Sequence, residues 1–185
     1  MMGASGSGTS TLGRALASHL ATQHFDVDDF YWLPTDPPFR AKRPVHDREA
    51  LMQAVFVPRR DWILSGSLVS WGQNAIDRLT AIVFVTLPAE ERMARLRARE
   101  FRRYGEDIAP GGPQAKAFAA FMSWAERYDT VEPTPSRNRA THEAWLALQT
   151  VPVHRVEADH HVDDLVTQIS GALSERSVLE AVERG

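Results

Sequence analysis

Residues 3 to 11, Gly-Ala-Ser-Gly-Ser-Gly-Thr-Ser-Thr, match the phosphate-loop pattern G-x-x-x-x-G-K-[ST] at every fixed position except the lysine, where Thr9 stands. Glycines at that spacing let successive backbone N–H groups turn inward on a phosphate, and a following helix adds its positive N-terminal end. The expected nucleotide contacts are Gly3, Ser5, Gly6, Ser7, Gly8, Thr9, Ser10 and Thr11, with the Ser10 hydroxyl at the position that meets a metal ion. Thr9 offers a hydrogen bond but no charge, so phosphoryl transfer needs another cation over the phosphates. Without one, the loop is a degenerate binder.

Two further clusters carry chemistry. Phe-Asp-Val-Asp-Asp-Phe, residues 25 to 30, puts Asp26, Asp28 and Asp29 at the end of an expected strand, where ligands of open parallel sheets collect. Strand alternation predicts Asp26 and Asp28 on one face, as metal ligands or as the base for an acceptor hydroxyl, with Asp29 opening the loop. On a helix at about 100° per residue, Arg92, Arg95, Arg99, Arg102 and Arg103 fall on one arc, with Arg97 apart beside Met93, Phe101 and Tyr104. Such a stripe repels itself unless anions face it. It is a candidate source of the charge Thr9 lacks.

The elements that must position these groups alternate. Apolar periodicity predicts a helix over 9–22. A strand runs into the aspartates, a loop with four prolines covers 33–44, a helix spans 45–57, and a strand 61–65. The run Thr-Ala-Ile-Val-Phe-Val-Thr-Leu, 80–87, reads as a parallel strand covered on both faces. The arginine helix follows, ending near Tyr104 before a Gly-rich loop over 105–112. A helix over 112–129, an irregular stretch 129–136, a helix 142–149, a strand 151–158 and a helix 162–183 complete the chain. The expected first strand is short, only Met1 and Met2 preceding the loop, so the sequence leaves a truncated start open. Histidines lack ligand spacing and read as surface residues; Trp32 and Trp71 fall in expected substrate loops, and the other tryptophans in the core.

At 185 residues, with 43% apolar and 24% charged residues, the chain has the composition of one globular domain. No apolar run reaches the roughly 20 residues of a spanning helix. No cysteine is present, which excludes disulfides and thiolate metal sites and fits a cytoplasmic setting. A net charge of −3 gives no general drive toward nucleic acid, which is not an expected partner.

The combined motifs, GASGSGxST, FDxDDFYW, WILSGS and P-x-E-x-R-x-x-R-L-x-x-R, resemble the P-loop kinases of the nucleoside monophosphate kinase group, and more narrowly small bacterial adenylate kinase-like or topology-modulation proteins. The resemblance implies a three-layer αβα fold with a five-stranded parallel sheet of order 2-3-1-4-5. It implies one domain over 1–185, an acceptor-binding insertion at about 30–60 and a lid at about 99–115. ATP and Mg2+ are the implied cosubstrate and metal. Gly3, Gly6, Ser7, Gly8, Ser10 and Thr11 match the phosphate loop; Asp26 and Asp28 match an acidic pair; Arg95 and Arg99 match arginines at the lid's entry. The expected catalytic set is Asp26, Asp28, Arg95, Arg99 and Arg103, with Ser10 and Asp28 on the metal. Asp29, Trp32, Arg40, Arg43 and Ser67 are the expected contacts to an unidentified small acceptor. Ser65-Gly66-Ser67 stands where relatives often carry Asp-Gly, and no N-K-x-D guanine signature is present. The expected activity is phosphoryl transfer from nucleoside triphosphate to a nucleotide or hydroxyl compound; the alternative is a catalytically weak nucleotide-binding regulator.

Overall fold

The computed structural model describes residues 1–130 and 137–182, with side chains through Ser174. Most of the irregular stretch expected at 129–136 lies outside the described residues, as does position 183. Strand β4 (Ile82–Thr86) is the centre of the molecule. Its β-branched and aromatic run is buried on both faces, and the period-two alternation decides which layer each side chain meets. Val83 and Val85 join Leu12, Leu16, Leu165 and Ile169, from α1 (Thr9–His19) and α8 (Val162–Val182), in one cluster. Ile82 and Phe84 point the other way and pack with Met2 and with Leu146 of α7 (Arg139–Ala147). The result is helix, sheet, helix.

The strands are parallel, but the expected continuous sheet is not formed. β1 (Met2–Gly3), β4 and β5 (Val153–Glu157) make a three-stranded sheet in the order β1-β4-β5, whereas β2 (His24–Asp26) and β3 (Ile63–Ser65) make a separate pair. β1 holds two residues and uses them both against β4, pairing Met2 with Phe84 and Gly3 with Val85. The gap toward β3 is crossed by the Gly66 N–H donating to the Met1 carbonyl at 2.9 Å. A two-residue strand is too short to carry ladders on both edges, which divides the sheet expected in the order 2-3-1-4-5.

A second core lies beside the sheet. It gathers Val27 and Phe30 of α2 (Val27–Tyr31), Met52 of α3 (Val45–Val55), Phe56, Trp71, and Ala75 of α4 (Gln73–Ile76). Trp71, expected in a substrate loop, belongs to this core and is 8% exposed. Here Arg48 stacks its guanidinium over the Tyr31 ring at 3.8 Å.

Helix α5 (Ala89–Tyr104) carries the arginines and departs from the expected wheel. Its buried residues are Arg92, Met93, Leu96 and Glu100, while Phe101 is 53% exposed and Arg97 is exposed. The apolar side is covered by Met122 and Ala125 of α6 (Ala115–Glu126). Arg92 leaves the stripe because it has dedicated partners: it donates to Asp129 at 2.6 Å and to the Ser5 carbonyl at 3.4 Å, beside the Tyr128 ring. Three histidines also depart from the surface reading. His142 is 1% exposed and shares a hydrogen bond of 2.8 Å with Tyr128, half-buried His24 sits at the loop junction, and half-buried His154 lies on β5. Burial pushes His142 down to about 4 and Tyr128 up to about 12.

Candidate active site

The loop between β1 and α1 is built by backbone conformations that side chains resist. Gly6 and Gly8 have φ of 84° and 96°. A Cβ on Gly6 would also stand 2.6 Å from the Arg92 carbonyl, so helix α5 packs directly on the loop. Gly8 caps α1 with no side-chain hydrogen bond, leaving the helix N-terminus without an internal acceptor. Within the loop, fully buried Ser7 has no partner for its hydroxyl among the described residues. This is a backbone concavity of the kind that receives phosphate oxygens.

Asp26 and Ser10 meet at its edge. The Ser10 hydroxyl donates to Asp26 Oδ2 at 2.5 Å, joining the first turn of α1 to the end of β2. The chain does not continue extended beyond Asp26, as strand alternation predicted. Asp26 accepts the Asp28 N–H on Oδ1 at 3.1 Å, caps a helical turn, and sends Asp28 and Asp29 onto α2. Asp and Asn side chains favour this local capping over strand extension. The two carboxylates therefore serve different sides: Asp26 faces Ser10, and Asp28 faces a cavity of about 460 Å³. Asp28 retains exposed surface, yet burial within the cleft raises its pKa, and the nearby Asp26 charge raises it further. Arg137, a hydrogen bond with Trp32, and Arg99 act in the opposite direction. Asp29 is also raised, by burial and then by Asp26, but it does not line the cavity.

The hydroxyl donors Ser10 and Ser65 fix the floor. Ser65 donates to the Thr9 carbonyl at 3.1 Å, and His24 Nε2 lies 2.9 Å from the Ser65 hydroxyl. Burial lowers the His24 pKa, which favours the neutral ring. The strand end that carries no carboxylate thus carries a hydrogen-bonded anchor for the loop–helix junction, which sequence reasoning missed.

The arginines separate into distinct tasks. Arg95 Nη1 lies 3.7 Å from where a Gly8 Cβ would be, beside the loop, and Arg95 also donates to the Ala158 carbonyl at 3.2 Å. Arg99 and Arg103 line the cavity, both holding buried Glu100, at 3.0 and 3.2 Å. Arg102 is exposed. Arg40, donating to Gln114, and Trp32 also line the cavity. Arg43 instead spends its guanidinium on the carbonyls of Phe30 and Trp32, at 3.0 and 3.3 Å, and braces the segment that follows α2. Ser67 is buried and accepts the Val69 N–H, away from the cavity wall. Thr11 is exposed on the first turn of α1. Arg137, Lys42 and Glu100 complete the polar wall, and no pattern in the sequence singled out Arg137.

A metal is implied by this loop, and the donors fit one. Ser10 and Asp26 are hard oxygen donors within hydrogen-bond distance of each other, the sparse set that Mg2+ takes when phosphates supply further ligands. Among the described residues no group of three or more His, Cys, Asp or Glu side chains forms a closed cage.

Comparison with known proteins places the chain in a class and then in a family. Shikimate kinase from Bacteroides thetaiotaomicron superposes with a TM-score of 0.53 at 15% identity, covering 94% of this chain and 95% of that one. A sugar kinase from Janibacter sp. HTCC2649 is a looser likeness, with a TM-score of 0.49 at 12% identity over 94% of this chain and 91% of that one. This chain and that shikimate kinase share an α/β fold. No protein-family model matches the chain. It belongs to the family of the uncharacterized protein YqaC of Bacillus subtilis (strain 168), 38% identical over 174 residues, spanning 94% of this chain and 96% of that protein. No helix among the described residues is long and apolar enough to cross a membrane.

Proposed function

We propose that the chain transfers the γ-phosphoryl group of ATP to a hydroxyl of a small acceptor held in the cavity. The observation that carries this reading is the division of the acidic pair: Asp26 on the loop hydroxyl Ser10, Asp28 on the cavity. The triphosphate lies on the N–H groups of residues 3–11, including Ser5, Ser7, Thr9 and Thr11. Ser10 and Asp26 would hold Mg2+, and the metal would supply neutralisation of phosphate charge; Asp28, the other residue expected on the metal, faces the cavity instead. Arg95 stands beside Gly8 and offers the cation that Thr9 lacks, while Arg99 and Arg103 face the acceptor side.

In the step itself, the acceptor oxygen bonds to the γ-phosphorus as the bond to the β–γ bridging oxygen breaks. The hydroxyl proton passes to Asp28, whose raised pKa suits it to receive one. ADP leaves, and the charged product follows. In this reading residues about 30–60 form the acceptor-binding insertion of one domain spanning 1–185, with Trp32 and Arg40 at the acceptor and Asp29, Arg43 and Ser67 acting from outside the cavity lining. Residues about 99–115 form the lid, and the site works as in the adenylate kinase-like group.

Thr9 favours a second reading, a nucleotide-binding regulator without turnover. ADP release with a panel of hydroxyl acceptors, measured beside calorimetric MgATP binding, separates the two. Transfer predicts acceptor-dependent ADP; the regulator predicts binding alone.

A further inference from the structure

We infer that the acceptor is an anion with a flat or apolar body, a carboxylate or phosphate ester rather than a neutral sugar or polyol. This rests on the phosphoryl-transfer reading for the hydroxyl, but the binding preference stands on the cavity itself. Among the described residues, five basic side chains, Arg40, Lys42, Arg99, Arg103 and Arg137, face it against two carboxylates, Asp28 and Glu100. Glu100 is already shared by Arg99 and Arg103. Among the described residues no carboxylate lies in ion-pair range of Arg40, Lys42 or Arg137.

Unpaired cations gathered around a cleft repel one another until an anion enters, and a guanidinium takes a carboxylate or phosphate through paired N–H donors. The placement is specific. Arg137 and Lys42 both stand over the Tyr31 ring, at 5.1 and 5.7 Å, and Arg137 is close enough to Asp28 to oppose its raised pKa. An anionic group held there sets the rest of the acceptor between Asp28 and the aromatic wall.

That wall decides the body. Trp32 and Phe39 stand on the insertion side, edge to face at 6.0 Å, and Phe121 and Trp124 stack at 6.0 Å on α6 opposite. Neutral sugars are held by a dense set of hydroxyl-matching amides and carboxylates. Among the described residues Gln114 is the one side-chain amide of the lining, and Arg40 already occupies it. The volume, about 460 Å³, lies within the range of small-molecule sites.

The test uses the full chain and three matched probes: 1,4-benzenedimethanol, 4-(hydroxymethyl)benzoate and 4-(hydroxymethyl)phenyl phosphate. Quenching of tryptophan fluorescence reads binding without requiring turnover. We expect both anions to bind about ten- to a hundredfold more tightly than the diol, the scale of one charge-assisted contact. The stronger of the two identifies the acceptor's anionic group. Arg137→Gln and Lys42→Gln, each checked for an unchanged thermal melt, should erase most of the preference. Equal affinity across the three probes, binding by none, or a preference untouched in both folded variants overturns the inference. A preserved preference without ADP release from MgATP instead faults phosphoryl transfer and leaves the acceptor class standing.

Discussion

Asp28 meets two opposed demands, and its replacement reads both. A base must lose its proton before it can take one, so turnover falls as pH drops through the raised pKa. Burial disfavours the same charge in the fold. Because the folded pKa is raised, stability from this group is fully present below the unfolded pKa and lost as pH rises through the folded one. Asp28→Asn should therefore lower kcat by roughly 10²- to 10⁴-fold with MgATP affinity kept, and should raise Tm at neutral pH but not in acid. Steady-state kinetics and pH-dependent melts check both halves. At Thr9 the expectation is non-additive. Arg95→Ala should weaken MgATP binding by about tenfold or more, one charge-assisted contact, and Thr9→Lys should recover more in that background than in the native chain. Equal gains in both backgrounds, by calorimetry, would show that Arg95 and position 9 act on different charges. The loop was legible because its glycines are dictated by backbone geometry. The paths of Asp28 and Arg92 were not, because a cap formed by Asp26 and an ion pair to Asp129 depend on contacts that strand or helix periodicity does not encode.

Helix α5 ties the loop to the start of α7 through one buried arginine. Arg92 joins the Ser5 carbonyl to Asp129, which in turn holds Arg139 at 2.7 Å at the start of α7. Removing one partner of a buried pair leaves the other uncompensated. Asp129 keeps 31% of its side chain exposed and retains its pair with Arg139, so Arg92→Met should cost about 2–3 kcal/mol rather than the full 3–5 of an enclosed pair. Denaturant melts measure that loss, and nucleotide affinity should fall with it because Ser5 loses its anchor. A melt unchanged from the native chain would remove Arg92 from this role. Among elements, β4 was plain from its uninterrupted β-branched run, and α1 from its leucine spacing. Helix α2 was hidden inside an apparent strand because five residues are too few to show a period, and α4, four residues long after Gly72, escaped for the same reason. The divided sheet was hidden too, since register across a two-residue strand leaves almost no pattern to read.

Taken as one body, the molecule places its glycine loop, acidic pair and basic cavity near the ends of β1 and β2. Ligand there bridges α1, α2 and α5, so MgATP should raise Tm, with about 2.7 kcal/mol of stabilisation at a hundred times Kd. Gly6→Val, which sets a branched side chain against the Arg92 carbonyl at a positive φ, should abolish the shift if the variant folds. ADP release from MgATP, with and without anionic hydroxyl acceptors, in the native chain and in Asp28→Asn, tests whether a triphosphate on this loop gives its γ-phosphoryl to an acceptor whose proton goes to Asp28. Such transfer requires acceptor-dependent ADP in the native chain and its loss in Asp28→Asn, with MgATP still bound by both. Acceptor-dependent release at equal rates in the two proteins, or none with any acceptor while MgATP binds, would contradict it.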